Sequence, residues 1–291
     1  TVETQGYEPW VKDTSMHHFL HPAFGFEYGY LGFWIAKYEP TAVEGVDTIS
    51  GACSGDNTIT KTVKIIPNST SWRCINVSNA LNVTLEMKNK SIYGWYSNEI
   101  DTHMMTNLEY GAIVYLATSI YGAPDEIWNN SNTDYITGCS GLGIDDSSHS
   151  HCIEYNTIDG VKASTTYNIN GVYDMKGGAF ERVMANYNSI VAFSDFDSSD
   201  TIKSIESKYL TKYETLSKDL VGGHGMKYDI LIYGDAIYET SFNAAEYNGS
   251  DYEGTTLGSW YYDRSYLAHI PFPWLNRGGH YSNSVPGGLF M

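Results

Sequence analysis

The residues with chemistry to offer are four cysteines, two histidine clusters and one acidic run. Cys53, Cys74, Cys139 and Cys152 include no pair with the two-residue spacing of a metal-binding couple. They read as disulfides, and three pairings are open to four cysteines. The preferred pairing joins Cys139 to Cys152, closing the polar loop "CSGLGIDDSSHSHC", and Cys53 to Cys74. Such staples stabilise chiefly by restricting the unfolded chain. His149 and His151 beside Cys152 fit no zinc spacing and lack a fourth ligand. "MHHFLHPAF" carries His17, His18 and His21, read as exposed or hydrogen-bonded rather than ligating. "SDFDSSD" gathers Asp195, Asp197 and Asp200 without the Gly and distal Glu of an EF-hand loop. It reads first as a turn and leaves calcium as the one open cofactor; no other metal or cofactor is expected.

Composition narrows the classes of partner. The 291 residues hold 17 Lys+Arg against 34 Asp+Glu, a formal charge of −17. With no basic run, the chain cannot supply the phosphate neutralisation that nucleic acid requires, and anionic membranes repel it. Apolar residues reach 42%, enough to bury a core and exclude disorder. No stretch approaches the roughly 18 to 20 apolar residues of a membrane span. The chain opens at Thr1 without Met, which reads as a processed or trimmed product whose leader lay upstream. Charged residues are only 18%, while 25 Tyr and 28 Gly suit a surface that meets a partner through rigid amphipathic rings. Acceptor sequons occur at Asn68, Asn76, Asn82, Asn89, Asn129 and Asn248, and matter only if the source glycosylates exported proteins.

These residues need elements to place them. "YGYLGFWIAKYEPT" (Tyr28 to Thr41) predicts a strand, and "TITKTVKIIP" a half-exposed strand ended by Pro67. The stretch after it offers Ser69, Thr70 and Ser71 as caps before an apolar pattern at Trp72, Ile75, Ala80, Leu81 and Leu85, predicting a first helix. A second helix is predicted from the spacing of Met105, Leu108, Ala112, Tyr115 and Leu116, stopped by Gly122. From about 122 to 170 the Asn, Ser, Thr, Asp and Gly content predicts long ordered loops. "SIVAFSDF" and "YDILIYG" predict short strands, with a helical stripe from Tyr209 through Leu220 between them. The whole reads as one elaborated α+β domain.

Taken in order, "GFWIAKYEPT", "PNSTSW", "NLEYGAIVYL", "NINGVYDMKGGAFERVMAN" and "WLNRGGHYSN" resemble the successive motifs of the formylglycine-generating (sulfatase-modifying factor) family. The likeness spans roughly residues 31 to 283. Its most specific element is "GVYDMKGGAFERV", similar to the family's Gly, Tyr, Asp, Met, Gly, aromatic, Glu signature; "RGG" at Arg277 to Gly279 is the second. The resemblance implies a C-type lectin-like fold, with twisted antiparallel sheets, two main helices and long loops. It implies residues 28–291 as the domain and 1–27 as an N-terminal extension. Tyr173, Asp174, Gly177, Gly178, Glu181, Arg277, Gly278 and Gly279 are expected to hold the fold. Tyr173 and Met175 should bury, Gly177 and Gly178 should turn with positive φ, and Glu181 should take backbone donors or pair with Arg277.

The departures matter more for function. Family enzymes bind copper through two cysteines after the "RGG" element, and here no Cys follows Cys152. The expectation is a retained fold without an enzyme and without catalytic residues. The chain stops at Met291, before the further strand or two the family adds, so it is either trimmed or leaves an edge for another chain to complete. Proteins diversified by retroelements, among them phage receptor-binding tips and surface or pilus adhesins, display a Tyr, Ser, Asn and His patch near the C-terminus of this scaffold. "SWYYDRSYLAHIPFPWLNRGGHYSNS" has that composition, and the candidate ligand-binding residues are Tyr262, Arg264, Tyr266, His269, Asn276, His280, Tyr281, Ser282 and Asn283. The expected role is a displayed adhesin or receptor-binding protein of a virion, pilus or cell surface, binding a protein or glycan. The alternative is a structural subunit of a virion or filament, and a metal-dependent oxidase stands third.

Overall fold

The computed structural model describes Phe24 and residues 32–48, 54–144, 146, 148–213, 272–282 and 289. Two longer helices, a short one at Ser199–Ser204 and a small mixed sheet organise the described residues, and long hydrogen-bonded loops complete the α+β architecture.

Helix α1 (Val77–Leu85) begins at Asn76, whose side chain accepts from the Asn79 amide at 2.8 Å. The cap therefore lies downstream of Ser69, Thr70 and Ser71, which belong to the loop. Helix α2 (Asn107–Ala117) starts with a full capping box: Thr106 and Glu109 each accept the other's backbone amide. The expected apolar stripe is met only in part: Ala112 is buried and Met105 packs on the core. Tyr110, Ile113, Val114 and Ala117 are buried, whereas Leu116 is exposed and Tyr115 only partly covered. The helix is enclosed on most sides, so its sequence is apolar nearly all round and periodicity marks no single face.

The main sheet runs β4 (Thr211–Tyr213), β3 (Glu181–Tyr187), β5 (Trp274–Arg277). β5 pairs antiparallel to β3, with Glu181 opposite Arg277, but β4 pairs parallel to it, with Ala185 opposite Thr211. A purely antiparallel sheet is thus corrected to a mixed one. β1 (Thr41–Ala42) and β2 (Val63–Lys64) form a separate antiparallel pair.

Several predicted elements resolve differently. Residues 32–40 form no strand, because their backbone serves several partners: Lys37 O accepts from Tyr173 N, Pro40 O from Trp72 N, and Glu39 N donates to Asp174. "TITKTVKIIP" contributes only the two residues of β2. "SIVAFSDF" is a series of turns in which Asn188, Ser189, Phe193 and Asp195 adopt positive φ, incompatible with a continuing strand. The helical stripe from Tyr209 gives way to β4, because Thr211–Tyr213 complete the sheet beside β3; its remainder, and "YDILIYG", lie outside the described residues. The loop-rich reading of 122–170 holds, with one short 3-10 turn at Gly160–Ala163.

Two apolar clusters meet across β3. Tyr110, Val114, Ile127, Met175, Val183, Ala185 and Leu275 fill the side against α2; Val77, Leu81, Met184, Ile202, Leu210 and Trp274 fill the side against α1. β3 can serve both because successive strand residues point to opposite faces. Arg277 is fully buried and donates from Nε to Asn107 Oδ1 at 2.9 Å, and Asn107 donates to the Tyr213 hydroxyl at 2.9 Å. This chain ties β5, α2 and β4 together.

Candidate functional site

The signature segment leads directly to the site. Tyr173 and Met175 are buried, as expected, and Gly177 and Gly178 adopt φ of +80° and +70°. Gly177 N donates to Gly278 O at 2.9 Å, and Gly178 N donates to Asn130 O at 2.7 Å. A side chain at Gly177 would collide with Asn129 and Asn130, so the close approach requires glycine.

Beneath this turn lie three carboxyl groups. Asp174 accepts from Gly138 N at 2.9 Å and Asn130 Nδ2 at 2.9 Å. Glu39 accepts from Ala179 N at 3.0 Å and from the Ser71 hydroxyl. Glu181 differs from its expected role: among the described residues it makes no ion pair with Arg277, and the groups that act on its carboxyl are the Glu39 carboxyl and its own backbone amide. It faces Glu39 instead, and Gly278 closes over it so tightly that a Cβ there would lie 1.7 Å from Glu181 Oε2. Burial, then the Asp174 charge, holds Glu39 well above the usual carboxylate range. Burial pushes Asp174 up to about 6, against the hydrogen bonds from Gly138 and Asn130. Glu181 is held well above its ordinary value by burial and then by Glu39.

Above the turn, a rim of rings comes together from four loops. Tyr281 N donates to Gly178 O at 2.9 Å, fixing the segment after β5 onto the glycine turn. The Tyr281 ring meets Tyr135 edge-on with centroids 5.0 Å apart and His149 at 5.5 Å. His280 packs on Phe180 at 4.8 Å and contacts the Ser282 hydroxyl through Nδ1 at 2.9 Å. The Arg73 guanidinium lies over the Tyr135 ring, 4.0 Å from its centroid, and donates from Nη2 to Asp47 O at 3.2 Å. Burial and the neighbouring His149 lower the His280 imidazole below its ordinary range.

The loop carrying His149 is held on two sides. Cys139 and Cys152 are joined, as the preferred pairing has it, and Ser140 and Ile153 exchange backbone hydrogen bonds at 2.9 and 2.8 Å beside the bridge. Asp146 braces the interior by accepting from Ser131 Oγ, Leu142 N and Ser148 N, which lower its carboxyl against the opposing effect of burial. Cys152 is therefore no thiolate ligand, and His151 contacts Ser148 at 2.6 Å. Cys74 is disulfide-bonded too; Cys53 lies outside the described residues.

Of the predicted binding residues, His280, Tyr281 and Ser282 belong to this rim. Asn276 does not: it sits within the sheet and accepts from Arg182 Nε at 3.2 Å. Tyr262, Arg264, Tyr266, His269 and Asn283 lie outside the described residues, as do His17, His18 and His21. Arg73, Tyr135, Phe180 and the place of His149 in the rim were missed, for they are scattered over more than a hundred residues with no spacing to unite them. Among the described residues no group of three His, Cys, Asp or Glu is placed to hold a metal ion. Asp195 receives the Asn76 amide and Asp200 pairs with Lys203 at 3.2 Å. No described helix is long and apolar enough to cross a membrane. The sequon Asn129 is buried, and Asn68, Asn82 and Asn89 are exposed. Comparison with protein-family models and with curated proteins finds no match to this chain.

Proposed function

We propose that this chain is a displayed ligand-binding protein, an adhesin or receptor-binding domain, built on a non-catalytic formylglycine-generating-enzyme-like variant of the C-type lectin fold. The observation that carries the reading is the convergence of His280, Tyr281 and Ser282 with Tyr135, His149 and Arg73 on the braced glycine turn. Rigid rings flanked by short polar groups form contacts at little entropic cost, and a positioned loop is where binding residues concentrate. The disulfide is compatible with an oxidising, extracellular location. The carboxyls beneath the turn serve as floor rather than as reactive groups, because Gly178 and Gly278 close over them.

The test is a panel of immobilised glycans and surface proteins probed with the intact chain. A specific binder should lose roughly tenfold or more in affinity on Tyr281→Ala, the usual effect of deleting a central aromatic anchor. Trp95→Ala, at an exposed ring elsewhere, should leave that affinity unchanged. Binding insensitive to Tyr281, or a stoichiometric redox metal on the purified chain, would overturn the reading.

The structural-subunit alternative has its own support in Leu116, Ile120 and Tyr121, exposed together at the end of α2. Leu116→Asp would abolish assembly seen by sedimentation if that surface joins copies, and would change nothing otherwise.

A further inference from the structure

The rim has a chemical bias that the whole chain does not share. At a formal −17 the molecule repels anions at long range, yet the polar groups packed on the rings of the rim include a guanidinium and two imidazoles. Among the described residues Arg73 is held by the Tyr135 ring and hydroxyl and by the Asp47 carbonyl, with no carboxylate paired to it. Two covered polar atoms in the cluster, Arg73 Nε and His149 Nδ1, make no hydrogen bond among the described residues. Covered polar atoms without partners are costly and rare in folded proteins. They occur here on the two residues that flank the Tyr135–Tyr281 pair.

Resting on the binding reading above, we infer that the rim recognises a singly charged, carboxylate-bearing sugar, with the acid group on the Arg73–His149 side and the sugar face on the Tyr281 and Tyr135 rings. Guanidinium and imidazole donors match a carboxylate with charge-assisted hydrogen bonds, and side-chain shifts at the rim bring the unpaired nitrogens to the ligand. Ring faces accept the C–H face of a pyranose, which explains why aromatics rather than further charges complete the patch. A polyanion fits poorly, since its remaining charges would meet the acidic surface.

The experiment titrates the intact chain with 3′-sialyllactose, lactose, heparin and a glutamate-containing peptide, each at low and high salt. Saturable binding of sialyllactose, weakened by salt and reduced roughly ten- to a hundredfold by Arg73→Ala and by His149→Ala, supports the inference. His149→Phe, which keeps the ring contact with Tyr281, should lose affinity like His149→Ala while melting like the parent. Lactose binding equal to sialyllactose, lost in Tyr281→Ala but kept in Arg73→Ala, would overturn the acid preference and leave the binding site standing. Preference for heparin or the peptide would overturn it too. Sialyllactose binding untouched by Tyr281→Ala would overturn both.

Discussion

Gly278 shows how one residue joins the fold to the site. Its φ of +77° belongs to the left-handed region, and a Cβ would meet Glu181 Oε2 at 1.7 Å. Both the backbone and the space forbid a side chain, so Gly278→Ala should destabilise by about 2 kcal/mol or more in denaturant unfolding. Gly143→Ala, with nothing within 4 Å and an ordinary φ, is the control and should change stability by less than about 0.5 kcal/mol. A Gly278→Ala loss as small as the control's would mean that the Gly278 turn shifts freely and does not hold Glu181. The residue types here were legible: the glycines of "MKGG" and "RGG" take positive φ, and Tyr173 and Met175 bury as expected. The partner of Glu181 was not. An acidic and a basic residue in two motifs suggest an ion pair, but register places only their Cα atoms opposite, and Arg277 Nε turns to Asn107.

Helices were easier to read than strands, for a local reason. Helical hydrogen bonds close within four residues, so local pattern suffices to reveal that α1 and α2 exist, although the cap of α1 is Asn76 and not Ser69, Thr70 or Ser71. Strands depend on distant partners. Residues 32–40 have strand-like composition, but Tyr173, Trp72 and Asp174 each claim a different part of the backbone. β4 likewise exists because β3 offers an edge at Ala185 to Tyr187. The capping box is testable at this scale: Thr106→Ala should cost about 1 kcal/mol, and a loss below about 0.3 would show that the Met184–Met105 backbone bond holds the helix start alone. The disulfide loop is the second element. Replacing Cys139 and Cys152 by serine opens a bridge of sequence separation 13, which should lower stability by about 3 kcal/mol. Because His149 rides on this loop, ligand affinity should fall further than melting temperature predicts. Unchanged affinity in the folded serine variant would remove His149 from the rim's working residues.

At the scale of the whole molecule, the three carboxyls beneath the glycine turn link stability to pH. Glu39 lies 135 residues from Asp174, while Asp174 and Glu181 flank one glycine turn, so the repulsion that involves Glu39 appears only when the fold assembles. Each is raised above its unfolded value, so the folded state holds the extra protons. Their contribution is fully present below about pH 4 and is lost as pH rises, through about 6 for Asp174 and higher for the two glutamates. His103, raised by the hydrogen bond from its ring to Glu109 against the opposing effect of burial, adds a loss in the same direction above its ordinary value. Asp101 works oppositely: Lys208, Tyr209 and Lys88 lower it to about 2 against burial, so its stabilisation is lost as acid protonates it. The melting temperature should therefore peak near pH 4 to 5 and fall toward pH 8, unlike the usual optimum of roughly 5 to 8. Glu181→Gln isolates the cause, because it removes the charge set against Glu39 while keeping the shape under Gly278. At pH 8 the variant should melt roughly 2–4 °C above the parent, about 1 kcal/mol of relief, and near pH 4 the two should coincide. A variant that is less stable at both pH values would show that Glu181 is satisfied as a carboxylate, and the three groups would then no longer account for the acid-side maximum.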